Sequence, residues 1–231
     1  MTLLGFDTST SASSACVLRD DGAAFEVAPS VERLADRPAH ASELLPAVAE
    51  VMERAEVSWE DLTAIAVGAG PGTFTGLRIG IATARALATA AGLPLRRVSS
   101  LAALAAGIEH DGGDAAAASA LFLPLIDARR GELFAALFEG ERELWPPFAA
   151  TPDRLVGRLR DAGAAPLAAG DGSLRFRGTF EEAGIQVAPQ DSDAHVVRAL
   201  HVCRLAAGAP DEPPEAVLPD YLREPDAKPQ Q

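Results

Sequence analysis

One segment restricts the fold more than any other. Over residues 75–91 the chain is apolar on nearly every helical face, and its two charges, Arg78 and Arg85, share one side at i, i+7. A helix that is apolar all round is covered all round. A sheet covers only one side of it. Gly76, Gly80, Ala84 and Ala88 recur at four-residue spacing and form a ridge of small residues. Such a ridge admits a neighbouring helix at about 8 Å. Two arrangements meet that demand. In one, the helix is sandwiched inside its own lobe. In the other, the ridge meets a second chain, with a helix carrying Leu44, Leu45, Val48 and Met52 beside it. The second arrangement predicts a partner interface on these residues.

The flanking chain alternates strands and helices. Leu3-Leu4-Gly5-Phe6-Asp7, residues 15–19 and residues 25–29 are short apolar runs split by Asp20-Asp21-Gly22, the pattern of a meander. Residues 40–55 change to helical spacing, with Ser42 as the expected cap and Pro46 near the first turn. A strand at 64–69 runs through Gly68-Ala69-Gly70-Pro71-Gly72 into the apolar helix, which Gly92 closes. A strand at 95–98 and a helix capped by Ser99 or Ser100 follow. The low-complexity stretch 109–119 marks the expected boundary between two lobes, 1–108 and 109–223, with 224–231 as a loose tail. In the second lobe, strands are expected at 121–126, 133–138 and 167–169. Helices are expected at 152–162 and 193–207. Two similar α/β lobes result.

Charge and composition exclude several classes. Twenty Lys+Arg against 33 Asp+Glu give −13, so the free chain is a poor polyanion binder. The four arginines of residues 62–107, where no acid occurs, make the one locally basic stretch. Lys228 is the only lysine, which rules out a Walker P-loop. Two cysteines support neither a disulfide framework nor a four-cysteine zinc site. His40, His110, His195 and His201 include no i, i+4 pair, so no metal site is expected. The N-terminus resembles neither a secretory signal nor a membrane span, and a soluble, cytoplasmic protein is expected.

Two turns carry possible chemistry. Asp7-Thr8-Ser9-Thr10 ends the first strand in a carboxylate and hydroxyls, as a phosphate-binding hairpin does. The same residues equally serve an Asx or Ser/Thr turn. The loop with Gly70 and Gly72 is not a dinucleotide fingerprint, because Thr73 and Thr75 stand where glycine is needed. It either holds an anion at the following helix or is a tight turn without a ligand.

Gly70-Pro71-Gly72-Thr73-Phe74-Thr75-Gly76-Leu77-Arg78-Ile79-Gly80 is similar to the G-P-G-S-F-T-G-L/V-R-I-G signature of the bacterial TsaB (YeaZ) family. Asp7-Thr8-Ser9, His40 with Leu44-Leu45-Pro46, Ser99-Ser100-Leu101, Asp127-Ala128-Arg129-Arg130-Gly131-Glu132 and Pro219-Asp220-Tyr221-Leu222-Arg223 follow in the family's order. Thr73 replaces the usual Ser, Ala41 stands where Ser or Thr often follows the His, and Arg85-Ala86 stands where Lys/Gln-Gly is frequent. The resemblance implies an actin/hexokinase-like two-lobed α/β fold. It also implies an accessory, non-catalytic subunit of the complex that makes threonylcarbamoyladenosine in tRNA. The implied partners are the catalytic paralogue TsaD and the ATPase TsaE, with a homodimer when alone and tRNA met only through the complex. The interface is expected on the helices at 40–55 and 75–91: His40, Leu44, Leu45, Val48, Met52, Gly76, Gly80, Ala84 and Ala88. Asp7, Thr8, Ser9, Gly70 and Gly72 are the expected remnant of a phosphate site, with at most weak ATP or ADP binding. The rival expectations are a small kinase or ATPase of the same superfamily, whose second phosphate loop would be Gly170-Asp171-Gly172, and a metallopeptidase, which lacks ligands.

Overall fold

The computed structural model describes residues 1–222. The expected tail, 224–231, and Arg223 of the last motif lie outside them. Two five-stranded mixed sheets form two lobes. The first contains β1 (Leu3–Asp7), β2 (Ser14–Leu18), β3 (Ala24–Val27), β4 (Ala64–Gly70) and β5 (Leu95–Ser99), in the order β3-β2-β1-β4-β5. The second contains β6 (Phe122–Arg129), β7 (Glu132–Glu139), β8 (Arg142–Ala150), β9 (Leu167–Ala169) and β10 (Gln186–Val187), in the order β10-β9-β6-β7-β8. Read from β8, the second order repeats the first. In each lobe three antiparallel strands form a meander, and two parallel strands continue from its first strand. This is the two-lobed α/β arrangement of the actin/hexokinase type.

The helices are α1 (His40–Arg54), α2 (Phe74–Ala91), α3 (Ser100–Asp111), α4 (Gly113–Ala117), α5 (Pro152–Asp161), α6 (Asp171–Arg175), α7 (Arg177–Glu182) and α8 (Ala199–Ala206). Alternation along β1 sorts them into layers. Leu4 and Phe6 join Val48, Val51, Ile81 and Ala84 in one core, which puts α1 and α2 on the outer face of the first sheet. Leu3 joins Leu101, Leu104, Val202, Ile126 and Phe134 in another. There α3 and α8 lie between the two sheets. Leu123, Leu125, Leu155 and Phe180 form a third core, with α5 and α7 outside the second sheet. No helix of the described residues is long and apolar enough to cross a membrane.

Several local expectations give way to tertiary contacts. Ser42 does not cap α1; its hydroxyl donates to the Ala39 carbonyl at 3.0 Å, two residues inside the helix. The expected helix at 193–207 is a 3-10 turn, Asp193–His195, followed by α8. Between them the Ser14 hydroxyl donates to the Val197 carbonyl at 2.8 Å, the acceptor a continuous helix would have used. β8 carries Pro146-Pro147 and escapes the strand pattern, and it lies at a sheet edge, where proline is tolerated. The strands of the first sheet end at Ser99 and those of the second begin at Phe122, but the chain crosses back afterwards. α8 packs on β1 and β2, Glu212 pairs with Leu95, and Val217 is buried in the first-lobe core. The returning segment also takes up much of the basic stretch. Arg96 pairs with Asp211 at 2.6 Å, Arg97 pairs with Asp220, and Arg78 Nε donates to the Tyr221 hydroxyl at 3.1 Å.

Candidate functional site

The expected phosphate hairpin is shut. Asp7 ends β1 on the side facing α3 and is 1% exposed. Its Oδ1 accepts the Ser9 N–H at 2.7 Å and the Ser9 hydroxyl at 2.6 Å. Its Oδ2 accepts the Ser100 hydroxyl at 2.7 Å, at the first turn of α3, where the helix dipole favours a negative group. Burial pushes the Asp7 carboxyl above its ordinary range, while these hydrogen bonds pull it back. Gly68 on β4 makes room for this carboxylate, since a Cβ there would sit 1.8 Å from Asp7 Oδ2.

The glycine turn closes over the same hairpin. A Cβ on Gly72 would lie 2.5 Å from Ser9, and one on Gly76 would lie 2.0 Å from the Thr8 carbonyl. The Thr73 N–H donates to Ser9 O at 2.7 Å, and Thr8 Oγ1 donates to Gly76 O at 2.8 Å. Gly70 needs its left-handed φ of 118°, and a Cβ there would touch Asp220. Asp7, Thr8 and Ser9 therefore do not line a cleft with Gly70 and Gly72. The hairpin and the turn fill one another, and the reading of these residues as a phosphate site is corrected accordingly.

The small-residue ridge is likewise turned inward. Gly80 faces Thr8, whose Oγ1 would lie 2.3 Å from an added Cβ. Ala84 and Ala88 are 0% exposed and pack with Leu4, Phe6, Ile65 and Val67. The ridge exists so that α2 can lie close on its own hairpin and sheet. Leu44, Val48 and Met52 face the same core, and His40 is buried with Nδ1 2.8 Å from the Ser13 hydroxyl. Burial holds the His40 imidazole below its usual range, which favours the neutral ring. Of the nine residues expected at the interface, only Leu45 is exposed, at 53%. The outward stripes are different ones. On α1 they carry Leu45 and Ala49; on α2 they carry Ala82 and Ala86, with Ile79 half-buried beside them. The helices touch, so these stripes belong to one layer.

A family model described as TsaD, tRNA N6-adenosine threonylcarbamoyltransferase, matches residues 33–157. The chain is 34% identical over 139 residues to the tRNA threonylcarbamoyladenosine biosynthesis protein TsaB of Bacillus subtilis (strain 168), covering 60% of this chain and 56% of that protein. It is 36% identical over 148 residues to the TsaB of Escherichia coli (strain K12), covering 63% and 58%. The matched stretch thus spans little more than half of these curated relatives. A Pseudomonas aeruginosa protein described as similar to peptidase YEAZ superposes with a TM-score of 0.75 at 30% identity, over 96% of this chain and 99% of that one. The chain belongs to the TsaB (YeaZ) family.

The contacts separate the sequence signals that are structural from the rest. The TsaB signature at 70–80 is a packing motif, whose glycines at 72, 76 and 80 press against Thr8 and Ser9. The outward Ala82 and Ala86 escaped notice because they carry the same four-residue spacing as the ridge, offset by two positions. A full turn of solvent-facing apolar residues is visible only once the inner face is assigned.

Proposed function

We propose that this TsaB-family chain is a non-catalytic subunit of the machinery that forms N6-threonylcarbamoyladenosine in tRNA. It docks on a TsaD-like catalytic paralogue, is joined by a TsaE-like ATPase, and self-associates through the same face when alone. It works in the cytoplasm and meets tRNA only within the assembly. The observation that carries this reading is the sealed Asp7. A kinase or ATPase of this fold needs that carboxylate at an open phosphate cleft, and here both of its oxygens are taken by Ser9 and Ser100. The names of the B. subtilis and E. coli relatives support the pathway.

The docking face in this reading is the outer surface of α1 and α2, with Leu45, Ala49, Ala82 and Ala86 at its centre in place of the inward ridge. Exposed alanines on adjoining helices let a partner helix approach closely, and Leu45 supplies the apolar anchor. Two substitutions two residues apart test it. Ala86→Arg should leave circular dichroism and melting nearly unchanged, within about 0.5 kcal/mol, as expected of an exposed position. It should abolish association with a TsaD-like paralogue and any homodimer in sedimentation, and stop tRNA modification by the reconstituted mixture. Ala84→Arg should instead cost about 3–5 kcal/mol of folding, by burying an unpaired charge. Assembly undisturbed by Ala86→Arg would overturn the docking face. Modification of tRNA by the chain alone would overturn the non-catalytic role.

A further inference from the structure

A cleft of about 870 Å³ opens between the lobes. Its apolar floor is Val31, Leu34 and Leu174, packed with Ala12 and Val196. One wall is the 3-10 turn Val31–Ala35 with Asp36, from the first lobe. The other is built by Asp127, Arg129, Asp171 and Arg175 of the second.

The arginines on that wall are held in place. One oxygen of the buried Asp127 carboxylate accepts Arg175 Nη1 at 2.6 Å and Arg129 Nη1 at 3.0 Å. The other accepts the Arg129 N–H at 2.8 Å. The Asp127 N–H donates to the buried Asp171 at 2.9 Å. The Asp127 bonds accompany a left-handed φ of 64° at Arg129, while Arg130 at 53° and Gly131 at 81° make the two-residue hairpin between β6 and β7, which needs positive φ at both.

Each guanidinium gives one nitrogen to Asp127 and stays about half exposed, 52% for Arg129 and 46% for Arg175. The two guanidiniums converge on one Asp127 oxygen, Asp171 behind them brings the wall close to neutral above about pH 6, and the N–H groups left over on their planar forks suit a carboxylate. Arg177 is already committed to Glu181 and the Ala188 carbonyl. Across the cleft stands the exposed Glu32, with Asp36 beside it already paired to Arg33 at 2.6 Å and Asp191 also in the lining. Five carboxyl groups against three guanidiniums disfavour a phosphate dianion or polyphosphate. A zwitterion suits both walls.

We propose that this cleft binds a free α-amino acid with an aliphatic side chain. The carboxylate lies on Arg129 and Arg175, the ammonium turns toward Glu32, and the side chain rests on Val31, Leu34 and Leu174. Such a ligand touches both lobes.

The test is calorimetric titration of the full chain with free aliphatic amino acids, acetate, inorganic phosphate and ATP, with the amide signals of Gly131 and Gly172 followed by NMR. The expected result is saturable binding of at least one aliphatic amino acid at millimolar concentration or below, with shifts at both glycines. Acetate and phosphate should bind about ten-fold or more weakly. Arg175→Met, or Arg129→Met if the first fails to fold, should weaken amino-acid binding about ten-fold or more. Arg142→Met, at an exposed position on β8, should not change it. Three results would overturn the proposal: no saturable amino-acid binding, binding indifferent to loss of either cleft arginine, or tighter binding of phosphate or ATP than of any amino acid.

Discussion

Asp7 and Asp127 occupy matching places in the two lobes, each near the end of the first strand of a sheet with the same strand order. Their first bond is the same. Oδ1 of Asp7 accepts the N–H of Ser9 at 2.7 Å, and Oδ1 of Asp127 accepts the N–H of Arg129 at 2.8 Å, in both cases two residues on. A glycine turn follows the fourth strand of each lobe and presses on the first strand. A Cβ on Gly72 would meet Ser9 at 2.5 Å, and a Cβ on Gly172 would meet the Ile126 backbone at 3.1 Å. The second oxygen separates the lobes. That of Asp7 takes a hydroxyl and is closed off, while that of Asp127 takes two half-exposed guanidiniums beside an open cleft. One backbone device thus yields a structural knot in the first lobe and a charged wall in the second. The choice depends on whether the neighbouring side chain is a short hydroxyl or a long cation.

The largest effect should come from breaking the knot. Gly68→Ala places a Cβ 1.8 Å from Asp7 Oδ2 and 3.0 Å from Ser100 Oγ. Both groups are buried and bonded to each other, so neither can move without losing its partner. The expected cost is about 3 kcal/mol or more, from overpacking together with an unsatisfied buried carboxylate. Thermal or denaturant unfolding measures it. A loss below about 1 kcal/mol would mean the knot is looser than its bond lengths imply.

Much of this was legible in sequence, for identifiable reasons. The all-round apolar segment announced a helix covered on most sides, and α2 spans Phe74–Ala91 as the spacing required, with Gly92 at a φ of 68° closing it. What spacing could not supply was the direction of its ridge. Four-residue periodicity fixes which residues share a face, but not which face meets the sheet. That depends on Thr8 and Ser9, some 65 positions away in sequence, which need glycine at 72, 76 and 80. The phosphate reading failed for a related reason. A carboxylate followed by hydroxyls fits a ligand site and a self-satisfied turn equally well, and the deciding donor, Ser100, lies on another element. The Asp127 cleft stayed hidden because Arg175 comes from α6, a five-residue helix without periodicity.

The second effect concerns Asp171, behind the charged wall. Burial raises its carboxyl to about 6, helped by the adjacent Asp127 charge and opposed by the Asp127 N–H. A raised acid favours folding while it is protonated. Its contribution is complete below the ordinary carboxyl range and is lost as pH rises through about 6. Asp171→Asn keeps an acceptor for the Asp127 N–H and never ionises. The variant should therefore gain on the unsubstituted chain between about pH 4 and 7, by up to about 3 kcal/mol, and run parallel to it above. Denaturant unfolding at several pH values reads this directly. A stability difference that does not change with pH would show that Asp171 is solvated through the cleft.

The smallest effect best separates the two carboxylates. Asp7→Asn keeps the shape of the knot but replaces one acceptor oxygen with an amide nitrogen. The Ser9 N–H cannot reverse its direction, so Asn must keep its oxygen there and turn its NH2 toward Ser100. The Ser100 hydroxyl can rotate to accept, and the expected loss is only about 1–2 kcal/mol. If Asp7 is purely structural, as both of its filled oxygens argue, a complex rebuilt with this variant should modify tRNA at the normal rate at a temperature where the variant is folded. A carboxylate that served a bound phosphate would behave otherwise. Losing its charge would lower activity by orders of magnitude while leaving the melting curve almost in place. Unfolding and modification rates measured on the same preparation therefore move in opposite ways under the two roles. Activity lost without stability lost would reopen the first lobe as a site of chemistry and end the contrast with Asp127.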